Sequence, residues 1–365
     1  MRIAILGAGL LGRLLALQLS QDHDITLYDK DDGTAQQSAA YQAAAMLAPI
    51  AESAEASNAI MQMGQRSLEL WPDLLKQLNE PIFFQKSGSL VLAFAQDGAS
   101  FANFQQQLKG QINQDYSLID KTRLSELEPE LAQQPRAFQH MMYLPDEGQL
   151  DNRQLLHALR DTLISRDIKW HTDTQVSLQN NQIWINDKYF GFEKIGLMFD
   201  KIIDCRGLGA KTQIAPSSQL RGVRGEVLRL YAPQVNLQRP IRLMHPRYPI
   251  YIAPKQNHHF VVGATQIESE DNRQPTVRSA LELLSACFSV HSGFGEAEIV
   301  EISSGLRPAL QDNEPQIWIN DHVIQLNGLF RHGYLLSPAM VEQCCALIND
   351  NIDKVPSYPG LITKL

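Results

Sequence analysis

The stretch from Ile3 to Leu19, IAILGAGLLGRLLALQL, constrains this chain more than any other. Ile3 to Leu6 read as a short buried strand, and Leu10 to Leu19 as an apolar helix packed on a sheet. Between them Gly7, Gly9 and Gly12 stand in a G-x-G-x-x-G spacing, and a second apolar run, Ile25 to Tyr28, ends at Asp29. The spacing alone is weak evidence; the order strand, glycine turn, helix, strand, acid sharpens it. Gly7 permits the tight turn, Gly9 lets a diphosphate approach the backbone, and Gly12 lets helix and strand pack closely. The helix N-terminus at Leu10 and Leu11 offers free N–H groups and partial positive charge to phosphates. Asp29, about 20 residues after the first glycine and followed by Lys30, is placed to bind ribose hydroxyls. An acid there argues against a 2′-phosphate. The unit reads as a dinucleotide cradle, and NADP is not expected.

The rest of the chain sets limits. Its 365 residues suit two domains or one elaborated one. A net charge of −8, with no run of Lys or Arg, gives no attraction to nucleic acid. Cys205, Cys287, Cys344 and Cys345 show no metal or redox spacing and read as reduced core thiols of a cytoplasmic protein. The first strand begins at once, leaving no n-region for a signal peptide, and no apolar run approaches the length of a membrane span. His258 and His259 are read as neighbours on a strand, pointing to opposite faces, so no metal pair is expected.

Ser38 to Pro49, SAAYQAAAMLAP, is dense in small residues, which suits either a tight helix contact or the close approach of a flat ligand. Ile60 to Leu78 reads as a long helix with a kink or restart at Pro72. Gly88 to Phe94 reads as a strand, Phe101 to Leu108 as a helix, and residues 125–131 as a helical turn ending at Pro129. Asp151 opens a helix to Ile164, with Gln154 at capping-box spacing. Lys201 to Ala210 is a strand running into a glycine turn. Between Val223 and Val262, strand-like runs separated by Pro and polar turns indicate antiparallel sheet. Ala280 to Phe288 is a helix, QIWIN and HVIQLNG a hairpin-like pair, and Tyr334 to Ile348 the closing helix. A βαβ start and a closing helix thus flank antiparallel material, so the nucleotide domain is discontinuous in sequence.

With these segments assembled, the chain resembles the glycine/D-amino-acid oxidase family of FAD-dependent amine oxidases, and is most similar to the bacterial glycine oxidases of thiamine biosynthesis. The resemblance is carried, in the family's order, by GAGLLG, AAAMLAPIAE at 43–52, GSLVLAF, LPDEGQLDNRQLLHAL at 144–159, RGEVLRL at 224–230, YIAPK at 251–255, FVVGAT at 260–265, SGLRPALQD at 304–312 and FRHGYLLSPA at 330–339. It implies a mixed α/β chain. A Rossmann-like FAD domain would take residues 1–80, 141–220 and 304–365. A substrate domain with a large antiparallel sheet would take 81–140 and 221–303. Ala44, Ala45 and Met46 would line the flavin, with Gly207. Gly328, Arg331, His332, Gly333, Tyr334 and Leu335 would return to it, the helix N-terminus near Tyr334 facing the pyrimidine end of the ring, where reduced flavin is anionic.

For chemistry, the resemblance implies that Arg307 binds the substrate carboxylate beside the cofactor. Its planar fork suits two oxygens. Tyr251 would face the substrate, and Arg331 would lie near both flavin and carboxylate. His332 falls where the family often has asparagine and is not read as a base. The implied activity is oxidation of a small amino acid's amine to an imine and 2-oxo acid, with oxygen as acceptor. Sarcosine, proline or a D-amino acid as substrate, a residue of a partner protein as substrate, and a non-enzymatic flavin sensor stay open, as does assembly of identical chains. Three departures lie near the expected flavin: Leu329 for a histidine, Ala45 for a glycine, and Arg206 in CRG for ASG.

Overall fold

The computed structural model describes residues 1–111, 116–135, 137–179, 182–187, 191–194, 199–213, 219–245 and 248–365. The chain opens with β1 (Arg2–Leu6), α1 (Leu10–Leu19) and β2 (Asp24–Tyr28). Every residue of α1 except Gln18 is buried, and Leu14, Leu15 and Leu17 are fully enclosed. A helix apolar all round has to be covered on all sides. It is: α1 lies between the sheet, the helix Asn152–Ser165 and the closing helix Gly333–Ile348.

β1 pairs in parallel with β2 on one side and with Lys201–Asp204 on the other. Lys169–His171 extends the sheet beyond β2, and Val323–Asn327 extends it beyond Lys201–Asp204, both in parallel. Gln316–Asn320 then pairs antiparallel with Val323–Asn327, so the hairpin read from sequence forms one side of this seven-stranded sheet, with Ile362–Lys364 at its edge. Three separated stretches of chain meet in one layer.

A second, eight-stranded sheet runs Glu298–Ala309, Arg221–Tyr231, His259–Gly263, Ile250–Pro254, Ile241–Leu243, Ser89–Ala93, His140–Leu144, Ser117–Leu118. It is antiparallel throughout except where Ile241–Leu243 meets Ser89–Ala93 in parallel. The helix Val277–Val290 covers one face, burying Leu283, Ala286, Cys287 and Val290 with Leu228, Ile252 and Val262. The divisions expected at 140/141 and 303/304 both fall inside strands of this sheet, His140–Leu144 and Glu298–Ala309, which stay whole.

Local differences have local causes. Pro72 lies inside the helix Asn58–Leu75, which runs only three residues beyond it; its missing N–H takes the usual helical donor from the Leu68 carbonyl. Pro129 starts a turn, Pro129–Ala132, at the first position where proline's fixed φ suits a helix. His258 is not on a strand: at φ 58° it forms the turn before His259–Gly263. Asp151 caps its helix as expected, accepting from the Arg153 and Gln154 backbone N–H groups at 2.9 Å each. All four cysteines are free thiols.

Candidate active site

A cavity runs between the two sheets, from the glycine turn to the strands carrying Tyr251 and Arg307. Gly7 has φ +94°, a conformation glycine adopts without strain. A Cβ on Gly12 would run into the Gly7 carbonyl oxygen, so that glycine serves packing, and Gly12 is not in the cavity wall. Gly9 differs from both: a Cβ there would meet only the Ser38 side chain, at 3.8 Å. It faces the cavity, and the helix behind it has no side-chain cap. Its first N–H groups are open to an anion.

Asp29 lies in the wall with Lys30, and its carboxylate braces the glycine turn. Its oxygens accept from the Ala8 and Asp31 backbone N–H groups. Burial raises its carboxyl above the ordinary value. The brace is completed by Arg13, on which the sequence reading was silent. Buried and stacked over Trp170, Arg13 donates to the carbonyls of Ala8 (2.7 Å), Leu156 (2.6 Å) and Gly33 (2.8 Å). Burial draws the guanidinium down to about 10, so it stays charged at neutral pH.

Ala44, Ala45 and Met46 line the middle of the cavity. Ala45, standing where the resembling family has glycine, has φ 53°. Lys255 holds this segment in place: its buried Nζ donates to Ala44 O (2.9 Å), Leu150 O (2.7 Å) and Gln149 Oε1 (3.1 Å). Burial pulls Lys255 down to about 7. Lys255 follows the strand Ile250–Pro254, which carries Tyr251, so it ties that strand to the Ala44 segment. Arg206, also in the wall, is spent on Asp204, at 2.7 and 2.8 Å, and on the Val176 carbonyl. Gly207, Leu10 and Leu11 are in the wall too.

The closing helix brings Arg331, His332, Gly333, Tyr334 and Leu335 to the cavity, and its N-terminus also lacks a side-chain cap. Gly328 is not in the wall, although Asn327 and Leu329 on either side of it are. Tyr334 is buried, its hydroxyl donating to the Ala40 carbonyl at 3.1 Å, and burial pushes its ionisation well up.

Arg331 faces the cavity with its charge already met. Nε lies 2.7 Å from Glu52, Nη2 lies 2.7 Å from Glu55, and Nη1 donates to Gln266 at 3.2 Å. Arg242 holds the other oxygen of Glu52 at 2.8 Å. Burial opposes ionisation of Glu52, but Arg331, Arg242 and His332 outweigh it and hold the carboxyl well below its usual range. His332 sits 3.4 Å from Glu52, and burial lowers it to about 4, so it is neutral at pH 7. Glu52 lies within the family-like AAAMLAPIAE segment; no local signal marks Arg242.

Arg307 is the contrast. It faces the cavity beside Tyr251 and donates only weakly to the carbonyls of Thr265 (3.2 Å) and Arg224 (3.4 Å). A Cβ on Gly225 would strike its guanidinium, so the strand leaves room for it. Among the described residues no carboxylate pairs with it. Desolvation lowers its pKa, and burial raises that of Tyr251.

Glu147 supports the Glu52 turn from behind. Fully buried, it accepts from the Ala51 N–H at 2.7 Å and from the Ser89 hydroxyl. Burial raises its carboxyl from 4.5 to about 7. The folded chain therefore keeps a proton that the unfolded chain releases, a contribution complete below the unfolded value and lost as pH rises through about 7. Glu147→Gln removes the charge: its amide oxygen can still accept from the Ala51 N–H, and its amide nitrogen can donate to the Ser89 hydroxyl oxygen in place of the bond it now accepts. It is expected to be more stable than the parent at pH 8 by on the order of 2 kcal/mol, with the gap closing towards pH 4. Thermal melts across that range check it; a gap independent of pH overturns it.

A Rossmann-like layer joined to a large antiparallel sheet across one cavity, with two uncapped helix N-termini opening onto it, defines a flavoprotein fold. A sequence model of the FAD dependent oxidoreductase family matches residues 2–346, and the chain belongs to that family. It is 35% identical over 344 residues to a putative thiamine biosynthesis oxidoreductase ThiO of Rhizobium etli, covering 94% of this chain and 95% of that one. The crystal structure of glycine oxidase from Geobacillus kaustophilus superposes with a TM-score of 0.80 at 23% identity, over 98% of this chain and 96% of that one. Iminodiacetate oxidase from Chelativorans sp. BNC1 gives 0.81 at 20% identity, over 100% and 99%. The protein is an FAD-dependent oxidoreductase. Its walls fit that cofactor: open space at Gly9 and a free helix N-terminus for the diphosphate, a small-residue wall at Ala44–Met46 for a flat ring, and a second free N-terminus beyond it. No helix among the described residues is long and apolar enough to cross a membrane, and no metal-ligating cluster occurs among them.

Proposed function

We propose that this protein oxidises the amine of a small amino acid. One observation carries the reading: Arg307 is a desolvated guanidinium facing the cavity without a carboxylate partner among the described residues, next to Tyr251. A half-buried cation with no counter-ion favours an anion, and its fork matches the two oxygens of a substrate carboxylate. Arg331 and Arg242 are already matched by Glu52 and Glu55 and shape the wall instead. Relatives whose names include glycine oxidase support the substrate class.

In this reading Gly7 to Leu11, Asp29 and Lys30 hold the adenosine and diphosphate of FAD. Ala44 to Met46, Gly207 and residues 331–335 hold the flavin. Bound FAD supplies the two-electron acceptor. Arg307 fixes the carboxylate and Tyr251 the pose, and the apolar wall keeps water from the α-carbon. Glu52 is committed to two arginines and His332 is neutral, so neither serves as base, and the amine binds unprotonated. The nucleotide and substrate units are the two sheets with their covering helices. The cell interior is the proposed location, and oxygen the proposed final acceptor.

The test is anaerobic mixing of the FAD-loaded protein with glycine, sarcosine, D-alanine, proline and ethylamine. Amino acids are expected to bleach the visible absorbance and ethylamine to leave it, with peroxide appearing when air is admitted. FAD-loaded protein inert to every free amino acid overturns the reading and favours a substrate residue in a partner protein.

A further inference from the structure

We infer that Glu55 restricts this site to substrates with a single carboxylate; the inference deepens the amine-oxidising reading and rests on it for the substrate class. Four guanidiniums lie in the cavity wall; Arg206 is taken by Asp204 at 2.7 Å, which leaves those of Arg307, Arg331 and Arg242. Two carboxylates answer them. Glu52 bridges Arg242 at 2.8 Å and Arg331 at 2.7 Å. Glu55 takes Nη2 of Arg331 at 2.7 Å and stands 3.7 Å from Arg242. The balance leaves one positive charge uncommitted, that of Arg307.

An amino acid with a neutral amine brings one negative charge and satisfies that balance. A second carboxylate, as in aspartate or iminodiacetate, has no free cation to meet. Arg331, whose charge acts on Arg307, has its outer edge closed by Glu55. The dianion also meets the field of Glu52 and Glu55, and like charges at that range raise the cost of burial. Glu52 is held from two sides deep in the wall, whereas the Glu55 side chain is 43% exposed. Glu55 can be changed without emptying a buried position. Glu55→Gln releases the outer edge of Arg331, turning it into a cation that a second carboxylate can reach.

The experiment uses FAD-loaded protein and two unreactive probes, acetate and malonate, titrated by thermal shift and by perturbation of the visible spectrum. The parent is expected to bind acetate at least tenfold more tightly than malonate. Glu55→Gln and Glu55→Ala are expected to move that ratio at least tenfold towards malonate, while Glu55→Asp keeps it closer to the parent value. Turnover should follow, with the preference for glycine over iminodiacetate shrinking by a similar factor. Parent protein that already binds malonate as tightly as acetate overturns the inference without any variant. So does a ratio that moves less than twofold in both uncharged variants. If no amino acid bleaches the flavin, the amine-oxidising reading fails by itself, and the ratio still decides the role of Glu55.

Discussion

Replacing Arg307 by alanine is expected to weaken substrate binding by about 2–5 kcal/mol, the range for breaking a desolvated charge pair, which is at least about 30-fold in Kd. The reason lies in its surroundings. Its contacts to the Thr265 and Arg224 carbonyls are long, and its charge has no carboxylate partner among the described residues, so the substrate supplies the missing anion. Arg307→Lys should recover only part of the loss. An ammonium is a point donor and cannot present two parallel N–H groups to a carboxylate. The FAD spectrum should change little in either variant. Stopped-flow reduction with glycine, sarcosine and a carboxylate-free amine separates the outcomes. If Arg307→Ala is reduced by the amino acids as fast as the parent, the carboxylate role is excluded. If only the carboxylate-free amine reduces the parent, the substrate is not an amino acid.

Gly9→Val is expected to abolish FAD binding while leaving the fold in place. The three glycines of the turn are not equivalent, and the structure separates them. Gly7 has φ +94° and Gly12 abuts the Gly7 carbonyl, so substitution at either strains the backbone. Gly9 has φ −69° and ψ −163°, at the edge of the extended region open to L-residues, and its Cβ position touches only Ser38. The protein accommodates the side chain, and the side chain fills the space of the diphosphate. Purified Gly9→Val should therefore be colourless, with the far-UV spectrum of the parent apoprotein. Stoichiometric FAD in this variant would falsify the placement of the dinucleotide.

What the sequence determined by itself is local. The glycine turn, α1 to the residue, and the Asp151 cap follow from short-range rules: hydrophobic period, backbone freedom, and a side chain reaching its own helix N-terminus. Proline was legible only in part: Pro129 opens a helical turn, where its missing N–H costs nothing, and Pro72 lies inside a helix that ends three residues later. Arg307 and Tyr251 stood out through resemblance to a family, not through any pattern of their own. The charge balance of the site was decided by tertiary structure alone. Glu52 meets Arg242 across 190 positions of chain, and Glu55 meets Arg331 across 276. Lys255 reaches back 211 positions to Ala44. Nothing near these residues distinguishes an arginine in solvent from one between two carboxylates. A charge's effect depends on distance and on the water excluded around it, and both are fixed only when the two sheets close over the cavity. The sequence therefore placed Arg307 and Arg331 near a substrate, and only the fold brought Arg242 beside them and determined which of the three was left without an anion.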